Sequence, residues 1–199
     1  MRKIVLVFVM ILIALNSNAQ NGLKVGEKAP EFIGKDQNGK TIKLSDVLKK
    51  GKAVVVFYRG YWCPNCMRSL KNIQDSIAQM EQQNVTVIAV SPEKPEGVAK
   101  TTKIAKAGFS IISDDQLKIL KDYKVAFEIT PEMDAIHKKY NIDIEQNNGK
   151  KNANILPRPA AFIIGQDGII TYRYFNADPY SNPKSNERVT VAAILKNTK

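Results

Sequence analysis

Several residue types are scarce in this chain of 199 residues, and each shortage excludes a class of protein. With two cysteines and a single histidine, the only candidate that could join the two thiols in a Cu(I) site is His137. No cysteine precedes Cys63, which excludes a lipid-anchored cysteine near the amino terminus. The chain also lacks an apolar run of the ~20 residues that a membrane-spanning helix needs. Internal repeats and long linkers are absent as well, which favours a single domain.

The amino terminus has the pattern of an export signal. Met1-Arg2-Lys3 is basic, residues 4–15 are uniformly apolar, and Asn16-Ser17-Asn18-Ala19 offers small and polar residues that end in alanine. This order predicts a signal peptide over residues 1–19 that is cleaved before Gln20. We therefore expect one mature domain, residues 20–199, that is periplasmic or secreted and keeps no membrane span.

Basic residues outnumber acidic ones, 30 to 19, and the formal net charge is +11. The lysines are scattered, with no arginine-rich patch and no stripe of interleaved aromatic residues. This distribution predicts a solvated basic surface and no nucleic-acid partner.

One stretch near residue 60 organises the chain. Residues 53–57 are apolar and rich in valine, which predicts a strand buried on both faces, and Gly60 ends it. Pro64 suits the first position of a helix and leaves Cys63 as its N-cap. The apolar stripe of that helix is expected to comprise Met67, Leu70, Ile73, Ile77 and Met80.

This arrangement places Cys63 and Cys66 in the first turn of a helix. Unpaired N–H groups and the helix dipole favour negative charge there, and thiols so placed have pKa values of roughly 3.5–7.5. Because the thiolate is the reactive form, we expect sulfur chemistry. An inert bridge is disfavoured because so short a loop stabilises little.

The remaining pattern predicts parallel strands joined by helices, followed by an antiparallel hairpin and a last helix, which is a mixed α/β arrangement. A strand over residues 85–90 follows the cysteine helix, and Asn38-Gly39 and Asp167-Gly168 mark hairpin turns. The other predicted elements are a short helix capped by Ser45-Asp46 and ended by Gly51, a lysine-rich helix from Pro95 that stops at Gly108, a strand over 109–112, a helix over 116–123, a helix from Thr130 with Met133, Ile136 and Tyr140 on one face, a polar loop over 147–152, strands over 160–164 and 169–174, and a helix over 186–195 with Val189, Ala192, Ile194 and Leu195 inward.

Three motifs stand in order along the chain: Gly26-x-x-Ala29-Pro30-x-Phe32, then Phe57-Tyr58-Arg59-Gly60-Tyr61-Trp62-Cys63-Pro64-Asn65-Cys66, and finally Leu156-Pro157-x-Pro159-Ala160-x-Phe162-Ile163-Ile164 with Asp167-Gly168. They resemble motifs of the thioredoxin superfamily, and within it the peroxiredoxin-like branch of the alkyl hydroperoxide reductase and thiol-specific antioxidant family. The resemblance implies a thioredoxin-like α/β fold, with a central mixed β-sheet flanked by helices and an N-terminal β-hairpin extension. It also implies a thiol peroxidase that needs no cofactor and no metal.

The resemblance aligns in two registers that assign different roles to the two cysteines. In the peroxiredoxin pattern Pro-x-x-x-Thr-x-x-Cys, Cys66 attacks the peroxide, Cys63 takes the threonine position and Arg59 the proline position. In the thioredoxin pattern Trp-Cys-x-x-Cys, Cys63 attacks, Trp62 is its aromatic neighbour and Cys66 resolves. We prefer peroxide reduction with Cys66 attacking and Cys63 resolving, and keep disulfide exchange as the alternative.

The chain departs from both patterns. The peroxiredoxin arginine would fall at Pro159, with Arg158 one residue early, and Pro159 resembles the cis-proline that faces the disulfide of thioredoxins. The buried acid of thioredoxin would fall at Phe57 and is missing. Arg59 and Arg158 are the candidates for stabilising the thiolate and the developing oxygen charge.

The expected partners are a peroxide and an external dithiol donor of the thioredoxin kind, and a homodimer is left open. A third hypothesis for the function is that the two thiols carry Cu(I). His137 would be its only further ligand, but we expect this residue on a solvated helix face.

Overall fold

The computed structural model describes residues 22–178, 180 and 187–199. The predicted signal peptide, its cleavage site before Gln20 and the start of the last predicted helix at residue 186 lie outside these residues. In chain order the elements are β1 (Ile33–Lys35), β2 (Thr41–Lys43), α1 (Leu44–Leu48), β3 (Lys52–Phe57), α2 (Pro64–Asp75), α3 (Ile77–Glu81), β4 (Val85–Ser91), α4 (Pro95–Ala105), β5 (Ser110–Ser113), α5 (Lys118–Asp122), β6 (Ala126–Glu128), α6 (Pro131–Lys139), α7 (Ile144–Asn148), a 3-10 turn (Lys150–Asn152), β7 (Ile155–Pro157), β8 (Ala160–Ile164), β9 (Ile170–Phe175) and α8 (Val191–Asn197).

A five-stranded mixed sheet forms the centre, in the order β5-β4-β3-β8-β9. Strands β3, β4 and β5 are parallel, whereas β8 runs antiparallel to β3 and β9 antiparallel to β8. Strands β1 and β2 form the predicted hairpin beside this sheet, with Gly39 at a positive φ of 77° in the turn. The predicted thioredoxin-like arrangement, a mixed sheet with an N-terminal hairpin, is confirmed.

Strand β3 carries the two halves of the core on its two faces. Val55 and Phe57 pack on one side with Phe162 and Tyr123, whereas Val54 and Val56 pack on the other side. That second side includes the buried residues of α2, namely Met67, Leu70 and Ile73. Since alternate strand residues face opposite ways, the valine run fixes α2 against the sheet.

The register brings three chain segments to one edge of the sheet. Phe57 at the end of β3 pairs with Val90 near the end of β4 and with Ala160 at the start of β8. The segments that follow Phe57 and Val90, and the one that precedes Ala160, therefore meet at this edge. The loop that leads into the cysteines begins here.

The predicted cysteine helix is two helices in the structure. Ser76, with φ −115° and ψ 12°, leaves the helical conformation between α2 and α3. The bend still brings Met80 into the core, where it is fully buried, but Ile77 lies only half-buried. All five predicted residues therefore pack on the core, Ile77 from a partly buried position.

The face predicted for α6, made of Met133, Ile136 and Tyr140, packs on the core only at Met133. Thr130 caps this helix as expected, accepting from the Met133 N–H, but Ile136 and Tyr140 are exposed. His137 is the buried residue of α6, at 4% exposure, where a solvated position was expected. The His137 ring contacts the rings of Trp62 and Tyr180, which lie far from it in sequence. The helical period of α6 alone does not predict such contacts.

Several smaller predictions also differ from the structure. Helix α1 starts at Leu44 with no side-chain cap from Ser45 or Asp46, because Lys43 occupies the N-cap position. The expected polar loop over 147–152 contains the end of α7 and the 3-10 turn, and β6 pairs with β7 where no strand was predicted. The last helix starts at Val191, capped by Thr190, and Ala192 is exposed. No helix within the described residues is both long and apolar enough to cross a membrane.

Gly51 allows a close approach of two chain segments rather than ending a helix, since α1 ends at Leu48. A Cβ atom at Gly51 would lie 1.9 Å from the backbone oxygen of Asn84, just before β4. The glycine thus permits β3 and β4 to start side by side.

We predict that Gly51→Ala lowers the free energy of unfolding by about 2 kcal/mol, because the backbone of Asn84 has to shift. Gly108→Ala is the matched control, since its Cβ would come no closer than 3.4 Å, to the flexible side chain of Gln74. Urea denaturation of both variants checks this. Equal effects of the two substitutions would contradict the account.

Candidate active site

The start of α2 is built as the sequence predicts. Cys63 is the N-cap in an extended conformation, Pro64 is the first helical residue, and the Cys66 N–H donates to Cys63 Sγ at 3.2 Å. The two cysteines form a disulfide, and each is only 1% exposed. The sulfurs therefore sit at the positive end of the helix and away from bulk water.

Arg59 lies against the first of the two sulfurs. Its Nη2 is 3.6 Å from Cys63 Sγ, and the side chain is 9% exposed. The guanidinium lies over two rings, 5.8 Å from the centroid of Trp62 and 5.2 Å from that of Tyr180. Cation–π attraction to both rings holds this charge at the sulfur. The structure thus brings together four of the predicted site residues, which are Arg59, Trp62, Cys63 and Cys66.

A second guanidinium at the sulfurs comes from Arg188, which the sequence analysis missed. Its Nη2 lies 3.6 Å from Cys63 Sγ and 3.8 Å from Cys66 Sγ. Burial, together with the nearby charge of Arg59, lowers the pKa of Arg188 to about 10. The group therefore remains a cation at neutral pH. More than 120 residues separate it from the cysteines, and no motif marks it in the sequence.

Trp62 joins the sulfur loop to helix α6. Its ring packs against the His137 ring at 5.2 Å between centroids, and the Tyr180 hydroxyl lies 3.2 Å from His137 Nε2. Burial and the Arg59 charge lower the pKa of His137, so the imidazole is neutral at neutral pH. His137 thus supports the aromatic residues that hold Arg59.

Arg158 and Pro159 lie at the sheet edge but take other positions than expected. The Arg158 guanidinium lies 4.8 Å from the ring centroid of Phe127, and no described hydrogen bond joins it to a sulfur. Pro159 is not a cis-proline, because the described residues contain no cis peptide bond. Its carbonyl accepts from the Asn176 N–H at 2.9 Å, which extends the β8–β9 ladder. An extended trans peptide suits that role, and the expected cis form was wrong.

No group of three or more histidine, cysteine, aspartate or glutamate side chains suited to a metal ion occurs among the residues that the structure describes. His137 pairs instead with Trp62 and Tyr180. The Cu(I) carrier hypothesis therefore gains no third ligand from this site.

Fold and site together define a dithiol oxidoreductase of the thioredoxin superfamily. More specifically, the profile of the AhpC/TSA family matches residues 25–173, and the chain belongs to this family. It is 27% identical over 105 residues to peroxiredoxin Bcp of Escherichia coli K12, an alignment that covers 53% of this chain and 67% of that protein. The predicted membership is confirmed: the protein is an oxidoreductase of the peroxiredoxin family, a thiol peroxidase.

A second sequence relative and one solved structure are also similar to this chain. The thiol-disulfide oxidoreductase ResA of Bacillus subtilis strain 168 is 30% identical over 119 residues, which cover 57% of this chain and 65% of ResA. The crystal structure of peroxidoxin BcpB from Mycobacterium tuberculosis superimposes with a TM-score of 0.62 at 18% identity, covering 77% of this chain and 86% of that one. The structural likeness supports the fold, and the two sequence relatives carry the two chemistries that the cysteine motif suggests.

We predict that Arg188→Ala slows peroxide-driven disulfide formation at least about tenfold at pH 7, because one of the two cations facing the thiolate is lost. Arg188→Lys, which keeps the charge without the planar fork, recovers part of this rate. Stopped-flow tryptophan fluorescence of the reduced protein measures the reaction.

The matched control is Arg158→Ala, which removes a partly buried guanidinium that stacks on Phe127 and does not bond a sulfur. Its rate should stay within about twofold of the parent rate. If Arg158→Ala is the slow variant and Arg188→Ala is not, the assignment of Arg188 to the sulfur site is wrong.

Proposed function

We propose that the protein reduces hydrogen peroxide or organic hydroperoxides through a two-cysteine cycle in which Cys63 is the attacking thiolate. The observation that carries this assignment is the unequal distribution of donors. Cys63 Sγ faces the Cys66 N–H, Arg59 and Arg188, whereas among the described hydrogen bonds Cys66 Sγ faces Arg188 alone. Hydrogen bonds and positive charges favour the ionised thiol, so in the reduced protein we expect Cys63 to ionise more readily than Cys66.

This assignment differs from the peroxiredoxin register, which gives the attack to Cys66. Register compares positions along a chain, whereas ionisation depends on the groups around each sulfur. The contacts thus favour the role that the thioredoxin register gives to Cys63, in a protein of the peroxiredoxin family.

The proposed catalytic cycle needs only the two cysteine sulfurs, the peroxide and one external reductant. The Cys63 thiolate attacks the nearer peroxide oxygen, the O–O bond breaks, and the departing oxygen takes a proton to leave as water or an alcohol. The Cys66 thiol then attacks the sulfenic acid on Cys63, which forms the disulfide and releases water. An external dithiol, which we propose to be a thioredoxin-like protein, reduces the disulfide and is itself oxidised.

Burial of the sulfurs favours a small oxidant over a protein disulfide. Each cysteine is 1% exposed, and Arg59 and Arg188 cover Cys63. A peroxide of two oxygen atoms fits between such groups more easily than a folded substrate does. Reduction by a protein dithiol then requires the Arg188 side chain to move off the disulfide.

Thiol–disulfide exchange on proteins is the second candidate function. The similarity to ResA and the Trp62-Cys63-x-x-Cys66 order support it. The reduction potential, which decides the direction of exchange, depends on the relative stability of the two forms.

Serine variants of the two cysteines test the cycle. With reduced protein and hydrogen peroxide in stopped flow, Cys66→Ser is expected to form sulfenic acid rapidly and to stop there, because the resolving thiol is gone. Cys63→Ser should lose the fast reaction. Trapping with dimedone and mass spectrometry identifies the oxidised sulfur.

The reverse pattern, with fast oxidation in Cys63→Ser, would assign the attack to Cys66 as the peroxiredoxin register does. If the parent and both variants ignore peroxide while the parent reduces insulin disulfides, exchange is the activity and the proposed cycle is wrong.

We also propose that the protein is exported to the periplasm or secreted, on the strength of residues 1–19 alone. Expressed in a bacterium with two membranes, the full chain is expected in the periplasmic fraction, with Gln20 as its first residue by amino-terminal sequencing. A chain that starts at Gln20 should remain in the cytoplasm. Recovery of uncleaved full-length protein from the cytoplasm would contradict the export proposal.

A further inference from the structure

A buried carboxylate lies beneath the loop that leads into Cys63. Glu93 follows β4, is fully buried, and accepts a hydrogen bond through Oε1 from the Tyr61 N–H at 2.9 Å. Its Oε2 accepts from the hydroxyls of Ser91 at 3.4 Å and Thr101 at 3.3 Å. The side chain thus joins β4 and α4 to the loop between β3 and the cysteines.

Two glycines leave room for this carboxylate. A Cβ atom at Gly60 would lie 2.8 Å from Glu93 Oε1, and one at Gly97 would lie 3.0 Å from the same atom. One glycine belongs to the cysteine loop and the other to α4. A side chain at either position would displace the carboxylate from the Tyr61 N–H.

No described lysine or arginine forms an ion pair with Glu93. The Tyr58 hydroxyl, from the residue that follows β3, faces Glu93, and burial and the Glu93 charge raise the pKa of that hydroxyl. The other groups that face the carboxylate are the Tyr61 N–H and the hydroxyls of Ser91 and Thr101. Lys100 lies over the Tyr61 ring instead, 4.5 Å from its centroid. A buried carboxylate without a counter-ion is costly and marks a candidate functional group.

The carboxylate reaches Cys63 through one turn of backbone. The Tyr61 N–H donates to Glu93 Oε1, and the Cys63 N–H donates to the Gly60 carbonyl at 3.0 Å. The turn over residues 60–63 therefore holds Cys63 as the N-cap of α2. The Tyr61 N–H lies within this turn, so the carboxylate contacts the backbone that carries Cys63.

We propose that Glu93 is a positioning residue for the thiol reaction, whose charged carboxylate anchors the turn over residues 60–63 and so holds Cys63 at the helix start. The proposal rests on the thiol chemistry proposed above, since it concerns the same sulfur. A charged acceptor holds an N–H about twice as strongly as a neutral one, so the turn is tightest when Glu93 is ionised.

The ionisation of Glu93 falls near neutral pH. Burial raises the pKa of this carboxyl to about 7, against the opposing effect of its hydrogen bonds. Above that pH Glu93 is charged and the turn is anchored. As pH falls through about 7 the carboxyl takes up a proton and the bond to Tyr61 weakens. Thiol reactivity should therefore show a titration step of Glu93 in addition to that of the thiol itself.

The test is the pH dependence of iodoacetamide alkylation of the reduced Cys66→Ser protein, in which Cys63 is the only thiol, and it needs no peroxide. This protein is the parent for the variants in this subsection and is expected to show two titration steps, that of Cys63 and one near pH 7 from Glu93. Glu93→Gln keeps an oxygen for the Tyr61 N–H but carries no charge, so this variant should show one step and a rate about fivefold lower at pH 8.

Asp114→Asn is the matched control. Asp114 is also a buried carboxyl with a pKa raised by burial, but it accepts from the Leu120 N–H in α5 and does not touch the cysteine loop. This variant should keep both steps. Superimposable profiles for the parent and Glu93→Gln would overturn the proposal, as would loss of the step in Asp114→Asn.

The outcome is separable from that of the proposed peroxidase cycle. If no variant reacts with peroxide but the step near pH 7 still depends on Glu93, the positioning role stands and the peroxidase cycle falls. Glu93→Leu, which removes the acceptor altogether, should slow alkylation further than Glu93→Gln. A Glu93→Leu variant that is folded by circular dichroism and reacts like the parent would contradict the anchor.

Discussion

The hydrogen bond from the Cys66 N–H to Cys63 Sγ is the interaction on which the rest of the site depends. It exists because Cys63 takes the N-cap position and Pro64 starts the helix, which turns the unpaired N–H groups of the first turn toward the sulfur. Arg59 and Arg188 add positive charge at the same atom. A sulfur in this setting is stabilised as an anion, and the chemistry of the protein follows from that.

The fold keeps these groups in place at some cost. Strand β3 is buried on both faces, so the start of α2 is held against the sheet by a rigid support. Two guanidiniums close to one sulfur repel each other, and the lowered pKa of Arg188 reflects this repulsion together with burial. Aromatic rings around Arg59 offset part of the cost. The two guanidiniums are therefore more stable beside a negatively charged sulfur than beside a neutral one.

Local patterns predicted much of this structure, and long-range contacts account for what they missed. The strand, the helix start and both hairpin turns depend on neighbouring residues, so Cys63, Pro64 and Gly39 could be placed from sequence. Arg188 reaches the sulfurs from the far end of the chain, and His137 is buried by Trp62 and Tyr180 against its own helical period. The pairing of β3 with β4 brings Glu93 to the cysteine loop, where it accepts from the Tyr61 N–H. Pairings of this kind leave no periodic trace in a single sequence.

The central claim is that the surroundings of the sulfurs stabilise a thiolate, and titration of the reduced parent protein tests it most directly. Thiolate absorbance at 240 nm, followed from pH 3 to pH 10 with the Cys63→Ser and Cys66→Ser variants as references, reports the two pKa values. The account predicts one thiol with a pKa below 7, assigned to Cys63, against about 8.5 for an unperturbed cysteine. Two thiols that both titrate near 8.5 would contradict it.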